Sequence, residues 1–227
     1  MFAYAEFDSI DNKDAYRIMD MSARSGNRDG AALRYVAERL MTRDEETKLL
    51  DDVTAAFAHT VVVIDAGNII DMGWTERYGD KLSAIVYAFQ GGMESGSAVM
   101  DVLYGDVNPS GHLTDTIARS YEDYPTAKNF GGTGHNCYQE DIYVGYRYFE
   151  TFLPNKVLYP FGFGLSYTTF DISDAKLTAG DKLTVTAKVT NTGKLPGKQV
   201  AQLYVQAPQG KLGKAARVLV GFAKTQL

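Results

Sequence analysis

A loop at residues 24–30, with the sequence RSGNRDG, carries polar side chains suited to binding or catalysis. It follows a predicted strand at residues 15–23, and loops that leave a sheet often present functional groups. Arg24, Asn27 and Asp29 offer a guanidinium, an amide and a carboxylate that can hydrogen-bond a hydroxylated ligand. Because Gly and Asn also favour turns, a solvated surface turn explains the same residues equally well.

A second candidate is the glycine-rich turn QGGMESG at residues 90–96, where a predicted strand meets a predicted helix. Such turns often bind phosphate in α/β proteins, but the glycine spacing here matches neither a P-loop nor a dinucleotide fingerprint. Glu94 lies in the first turn of the helix, where a carboxylate usually complements the helix dipole. We therefore favour close packing of helix and strand over ligand binding.

Metal and nucleophile chemistry have little support in the sequence. His59, His112 and His135 are far apart, and only His135 lies near Cys137, in an isolated His-x-Cys pattern that does not make a metal site. No GxSxG nucleophile elbow is present. We expect no metal, no cofactor and no Ser-His-acid site.

Two strand–turn–helix units predict the fold of the first two thirds of the chain. A helix at 42–57 begins with a Thr-x-x-Glu capping box, and the apolar strand TVVVID follows at 60–65, as expected of a strand covered on both faces. A second strand at 84–89 precedes a helix at 94–104. This alternation predicts an α/β fold, a mostly parallel sheet flanked by helices in an α/β sandwich.

The next segment, 118–154, reads as a long loop rich in tyrosine, which usually packs across a surface with its hydroxyls paired at the edge. Its six tyrosines are Tyr121, Tyr124, Tyr138, Tyr143, Tyr146 and Tyr148. The aromatic stretch YPFGFGLSYTTF at 159–170 then suits a fixed ribbon between two domains, with its aromatics in interdomain packing.

Short alternating strands dominate the remainder of the chain. Their predicted positions are 170–177, 182–190, 199–206 and 217–223. This pattern predicts a partial all-β sandwich of the immunoglobulin or fibronectin III-like type. We therefore predict two domains, at 1–168 and 169–227, and an exposed sheet edge that favours aggregation.

The charge and the cysteine content limit the classes of binding partner and the compartment that we expect. Lys and Arg total 23 against 28 Asp and Glu, a net charge of −5, which argues against nucleic acid or an anionic membrane. The given sequence has no recognisable signal peptide and no apolar window of about 18 residues, and its single cysteine excludes an internal disulfide. We expect a cytoplasmic protein, unless an export signal lies upstream.

Four long segments carry a resemblance. They are VVVIDAGNIIDMGW (61–74), YAFQGGMESGSAVMDVLYGDVNPSGHL (87–113), EDIYVGYRYFE (140–150) and YPFGFGLSYT (159–168). Together they closely resemble glycoside hydrolase family 3, which includes β-glucosidases and related exo-acting glycosidases. The resemblance implies that residues 15–168 form the α/β sandwich domain of that family. NTGKLPGKQVAQLYVQAP, at 191–208, resembles its fibronectin type III-like domain.

The resemblance also implies a retaining mechanism, in which an Asp nucleophile acts with a second carboxyl as acid and base. In the family the nucleophile lies in a TIM-like barrel that no segment here resembles. The acid/base Glu lies on a Ser-Gly-Glu-Gly loop, which matches Ser25-Gly26-Asn27-Arg28, so that Asn27 stands where the Glu is expected. Because an amide cannot donate a proton as a carboxylic acid does, Asp29 or Glu38 is the alternative acid. Arg24 and Asn27 are the candidate substrate-binding residues.

We therefore expect a fragment of a β-glucosidase-like enzyme that acts on β-glucosides or oligosaccharides and is inactive without the barrel. The barrel would belong to the same or a separate polypeptide. A non-catalytic carbohydrate-binding or scaffolding module is the alternative, and under it Asn27 marks a genuine loss of the acid.

Overall fold

A computed structural model describes residues 46–128 and 139–226. These residues fall into two compact units. The first contains the described residues up to Val63, together with Asp80–Val86 and Gly91–Gly96; the second contains Ile64–Gly79, Tyr87–Gln90 and the residues from Ser97 onward. None of the helices within the described ranges is long and apolar enough to cross a membrane.

Helices and short strands alternate in the first part of the described chain. They are α1 (Glu46–Ala56), β1 (Val61–Ile64), α2 (Thr75–Tyr78), β2 (Ala84–Tyr87) and α3 (Ser95–Tyr104). β1 pairs with β2. The Ser83 amide donates to the Thr60 carbonyl and the Ala88 amide to the Ile64 carbonyl, both at 2.8 Å, so the two strands run parallel. The predicted α/β class is confirmed, but in the described residues the predicted mostly parallel sheet is represented by this one parallel pair, and the other strand pairs are antiparallel. The predicted capping box at Thr42 and Glu45 lies outside the described residues.

The prediction that β1 is covered on both faces is wrong for the described chain. Ile64 is 8% exposed, but Val61 and Val63 are 44% and 40% exposed. Burial on both faces requires a packed layer on each side of the sheet. A run of valines shows that a strand is suited to burial on both faces. It does not show which segments pack against those faces.

An antiparallel pair and a short helix form the best-packed core of the described chain. β3 (Ile117–Ala118) pairs with β4 (Val157–Tyr159), and α4 spans Tyr146–Phe152. Ile117 and Phe149 are the largest fully buried side chains. α4 corrects the prediction of a continuous loop over 118–154. In its sequence YRYFETF, Tyr146 and Phe149 are the buried residues, whereas Arg147, Glu150 and Thr151 share another face at helical spacing. Aromatic rings pack against the buried face.

Those rings are contributed by distant parts of the chain. Phe149 of α4 meets Tyr124 edge to face, with ring centroids 5.2 Å apart, and Tyr146 stacks on Phe161 at 4.6 Å. The tyrosine-rich segment therefore packs across neighbouring elements, as the sequence predicts. Tyr138 lies outside the described residues.

Four strands follow, at the positions that the alternation predicts. They are β5 (Phe170–Thr178), β6 (Thr184–Asn191), β7 (Val200–Val205) and β8 (Val218–Lys224). β5 pairs antiparallel with β6, and β7 pairs antiparallel with β8.

The aromatic stretch at 159–170 connects these pairs to the α/β part. Gly162 has a φ of 78° and lies against the side chain of Gln202 on β7, where a Cβ would collide. The hydroxyl of Tyr167 donates to the carbonyl of Val102 on α3 at 2.8 Å. The stretch is thus held on both sides by specific contacts, as expected of a fixed ribbon.

Candidate functional site

The catalytic and substrate-binding residues proposed from the sequence lie outside the described residues. They are Arg24, Ser25, Gly26, Asn27 and Asp29, with Glu38 as the further alternative acid; His135 and Cys137 also lie outside. Their roles stay predictions.

The described chain does contain the carboxyl ends of β1 and β2, the edge at which open α/β sheets bind ligands. The loop after β1 runs from Asp65 to Trp74 and returns into α2. Its backbone is tied to β2, because the Tyr87 hydroxyl donates to the Asn68 carbonyl at 2.7 Å. Burial raises the pKa of Tyr87, which keeps this hydroxyl protonated as a donor.

The turn after β2 supports the packing interpretation of QGGMESG. A Cβ on Gly91 would lie 2.6 Å from the Ser95 hydroxyl oxygen, so glycine there permits close approach to the start of α3. The Ser95 amide donates to the Gly92 carbonyl at 3.3 Å. Glu94 is exposed one residue before α3.

A pocket of about 240 Å³ lies beside the loop after β1. Two segments separated by some fifty residues build it: the β1 loop on one side, and the end of β3 with the 3-10 turn Tyr121–Asp123 on the other. Its lining residues are Ile69, Ile70, Asp71, Ala118, Ser120, Tyr121, Tyr124, Thr126 and Ala127.

Tyr124 forms a fixed wall of this pocket. Its hydroxyl donates to the Thr116 carbonyl at 2.9 Å and accepts from the Ala118 amide at 3.0 Å. Burial raises the pKa of Tyr124, and the carboxylates of Asp115 and Asp71 raise it further. The phenol therefore stays neutral, and its hydroxyl is fully engaged with the backbone.

Asp71 brings a negative charge to the pocket. One of its carboxylate oxygens accepts the Gly73 amide at 2.8 Å, which fixes the side chain at the turn into α2. A carboxylate has two oxygens and about four acceptor directions, so this bond leaves acceptor capacity for a ligand.

The described histidines do not form a metal centre. His59 Nδ1 lies 3.4 Å from the Ser83 hydroxyl, and the buried Nδ1 of His112 has no hydrogen-bond partner. Across residues 46–128 and 139–226, no three His, Cys, Asp or Glu side chains come together in a metal-binding group.

No local signal in the sequence marks the pocket. Tyr121 and Tyr124 stand out as packing aromatics, but nothing local connects them to Asp71. An Asp and a Tyr on separate turns are too common to be recognised as a pair without the contact that joins their segments.

Comparison with known proteins gives a consistent result. Residues 27–167 match the sequence profile of the glycosyl hydrolase family 3 C-terminal domain. Curated relatives include the beta-glucosidase of Ruminococcus albus, 48% identical over 81% of this chain and 19% of its own length. Beta-glucosidase A of Butyrivibrio fibrisolvens is 45% identical over 80% of this chain and 24% of its own length.

Solved structures agree. A beta-glucosidase from Paenibacillus barengoltzii aligns with a TM-score of 0.75 and 51% identity, over 81% of this chain and 21% of that one. Beta-glucosidase 3B from Thermotoga neapolitana, solved in complex with alpha-D-glucose, aligns with a TM-score of 0.75 and 39% identity, over 81% of this chain and 26% of that one. The chain thus spans about a fifth to a quarter of the length of the relatives that it matches.

Proposed function

Because the chain belongs to glycosyl hydrolase family 3, through the C-terminal domain of that family, we propose that it is part of a retaining, exo-acting β-glucosidase-like enzyme. Its substrates would be β-glucosides or short oligosaccharides with a terminal β-linked glucose. The observation that carries this proposal is the match over residues 27–167, together with 48% identity to a protein named as a beta-glucosidase.

The proposed chemistry needs two carboxyl groups about 5–5.5 Å apart, one as nucleophile and one as acid and base. We assign the nucleophile to a TIM-like barrel supplied by the same or by a separate polypeptide. The acid would come from the loop at Ser25–Gly30, where Asp29 is the carboxyl nearest to the expected position. The 227-residue chain by itself would then not hydrolyse glycosides.

We further propose that residues 169–227 form part of a fibronectin type III-like domain. Two antiparallel strand pairs support this assignment, as does the alternation of polar and apolar residues along them. Such a domain would be completed by strands from outside the described chain.

The test is an assay of the purified chain on an aryl β-glucoside, alone and after mixing with a separately produced TIM-like barrel domain. We expect no release of the aryl alcohol by the chain alone and measurable release by the mixture. Asp29→Asn should abolish that release, whereas Asp106→Asn, an exposed carboxylate near the end of α3, should not.

Turnover by the chain alone that follows the protein through purification would contradict the proposal. A mixture that stays inactive, with binding of the chain to insoluble glucan, would instead support the alternative of a carbohydrate-binding or scaffolding module. The amide at Asn27, in the place where the family resemblance expects a Glu, is the feature that favours that alternative.

A further inference from the structure

We propose that the pocket beside Tyr124 binds a single pyranose ring of a saccharide. The choice of a sugar rests on the proposed function, but the site itself rests on the geometry of the pocket. For brevity we call it the Tyr121 pocket, after the half-exposed aromatic residue in its lining.

The size of the pocket suits one sugar ring. Its volume of about 240 Å³ falls below the roughly 300–1,000 Å³ of pockets that enclose drug-sized ligands. Its lining is mostly apolar, with Ile69, Ile70, Ala118 and Ala127 beside the aromatic rings. A six-membered ring with an apolar face suits such a surface.

The polar groups of the pocket are few and lie where ring hydroxyls could meet them. Asp71 and Thr126 contribute oxygen-bearing side chains to the lining, while the Ser120 hydroxyl in the same lining already donates to the Glu122 carboxylate. Ligand pockets typically combine an apolar surface with a few such polar groups that set orientation. Hydrogen bonds from sugar hydroxyls to the ionised carboxylate of Asp71 would be the strongest of these, because one partner carries a full charge.

Tyr121 supplies the exposed aromatic surface. Its side chain is 49% exposed, and its hydroxyl lies within 3.4 Å of the Ala127 carbonyl, to which it donates. Its ring lies 6.5 Å from that of Tyr124. A tyrosine held at both ends in this way offers contact area at little cost in conformational entropy.

Charge excludes two other ligand classes. Asp71 lines the pocket and Asp115 lies close enough to influence Tyr124, while no lysine or arginine is among the lining residues, so an anion such as phosphate would be repelled. A purely apolar ring would bury part of the Asp71 carboxylate without a hydrogen bond, which is unfavourable. A neutral polyhydroxylated ring satisfies both conditions.

The only tryptophan of the chain is a built-in reporter. Trp74 is three residues from Asp71, at the start of α2, and is half-buried. The experiment titrates the purified chain with methyl β-D-glucopyranoside while following tryptophan fluorescence, with saturation-transfer NMR as a second readout. Phenol and inorganic phosphate serve as apolar-ring and anion comparators.

We expect saturable binding of the glucoside with a Kd on the order of millimolar, tighter than that of phenol or phosphate. Tyr121→Ala and Asp71→Asn should each weaken it about tenfold. Asp71→Asn retains an oxygen that accepts the Gly73 amide, so this variant keeps the fold. The matched controls are Tyr104→Ala, an exposed tyrosine on α3, and Asp106→Asn, and both should bind as the unmodified chain does.

The proposal is overturned if the folded chain does not bind the glucoside, if phenol or phosphate binds more tightly, or if both pocket variants bind normally. Circular dichroism establishes folding for each variant. Because binding is measured without hydrolysis, this outcome is independent of the assay of the proposed function. An inactive mixture together with normal glucoside binding in the Tyr121 pocket would refute only the proposed function.

Discussion

The two strand pairs, β5–β6 and β7–β8, are similar in length and pairing but differ in what holds them. The Leu219 amide on β8, and the Ala216 amide and Arg217 side chain just before β8, are hydrogen-bonded to α4. β5–β6 is bonded mainly at its base, and its apolar face is exposed. The difference indicates that the alternation of polar and apolar residues makes a strand pair amphipathic. Whether the pair docks on another element depends on residues from elsewhere in the chain.

The segment leading into β8 makes the stronger set of contacts. Arg217 donates from Nε and Nη2 to the two carboxylate oxygens of Glu150 on α4, both at 2.6 Å, and its guanidinium lies 4.7 Å from the Tyr204 ring centroid. The Leu219 amide donates to the Tyr146 hydroxyl at 2.8 Å. A bidentate ion pair of this kind fixes the relative orientation of the two side chains as well as stabilising the contact.

The β5–β6 pair is fixed where it begins and ends. The Thr168 hydroxyl donates to the side-chain carbonyl of Asn191 at 2.7 Å. Further along, one face carries Ile172, opposite Val189, and Leu177, opposite Val185, while Ile172 and Leu177 are 49% and 66% exposed. The contrast with β7–β8 can be tested by a graded series of substitutions.

The largest effect is expected for Phe149→Ala, because this buried ring supports α4, on which β7–β8 is docked. Removing a ring that is 1% exposed should cost about 3–5 kcal/mol in the free energy of unfolding, measured by urea denaturation. Phe222→Ala on β8, where the ring is 74% exposed, is the control and should change it by less than about 0.5 kcal/mol. Equal losses would mean that α4 is not the support.

Asn108→Ala should cost about 2 kcal/mol, because Asn108 joins the base of β5–β6 to the α/β part. Its side-chain carbonyl accepts the Ser166 hydroxyl at 2.8 Å and the Tyr167 amide at 2.9 Å, and its amide donates to the Pro196 carbonyl at 2.9 Å. Asn108→Asp keeps the two bonds that the side-chain oxygen accepts, so its free energy of unfolding should lie between those of the unmodified chain and of Asn108→Ala. Hydrogen exchange should accelerate in β5–β6 more than in β7–β8; the reverse order would contradict the assignment.

Glu150→Gln should lower stability by roughly 0.5–1 kcal/mol, the range of partly exposed ion pairs. The Glu150 hydrogen bond raises the pKa of Arg217, so the guanidinium is charged at all working pH values. Raising the salt concentration should reduce the effect of the substitution. A loss that is unchanged in high salt would point to the shape of the side chain rather than to its charge.

Alkaline pH should loosen β7–β8 more than β5–β6, by a smaller amount than the substitutions above. Burial raises the pKa of Tyr204, although Arg217 opposes the shift. Since the unfolded chain ionises first, near pH 10, this contribution to stability is complete below that pH and is lost as pH rises toward the folded-state pKa. β5 and β6 contain no tyrosine. Urea midpoints between pH 8 and 11 should therefore fall less steeply in Tyr204→Phe.

Leu177→Thr should leave the free energy of unfolding within about 0.5 kcal/mol, since the side chain is already exposed. It should instead reduce self-association, measured by light scattering, because it removes apolar surface from the uncovered face of β5–β6. Leu219→Thr on the docked pair is the matched control and should cost more stability. Unchanged scattering in Leu177→Thr would locate association elsewhere in the chain.

The sequence by itself determined the features that depend on neighbouring residues. The alternation at β5 to β8, the helical spacing of α3 and the strand–turn–helix order at β1 and β2 are local signals. The long motifs that resemble glycosyl hydrolase family 3 are also carried by consecutive residues, so the family could be recognised without a structure. The loop at Ser25–Gly30 was identified in the same way, and its role stays a prediction.

Only the tertiary structure decided what depends on distant residues. The aromatic face of α4 is buried because Tyr124 and Phe161 pack against Phe149 and Tyr146. The Tyr121 pocket exists because residues 69–71 meet residues 118–127. The amphipathic faces of both strand pairs can be read from their alternation, yet whether such a face becomes buried depends on surfaces that local spacing does not encode.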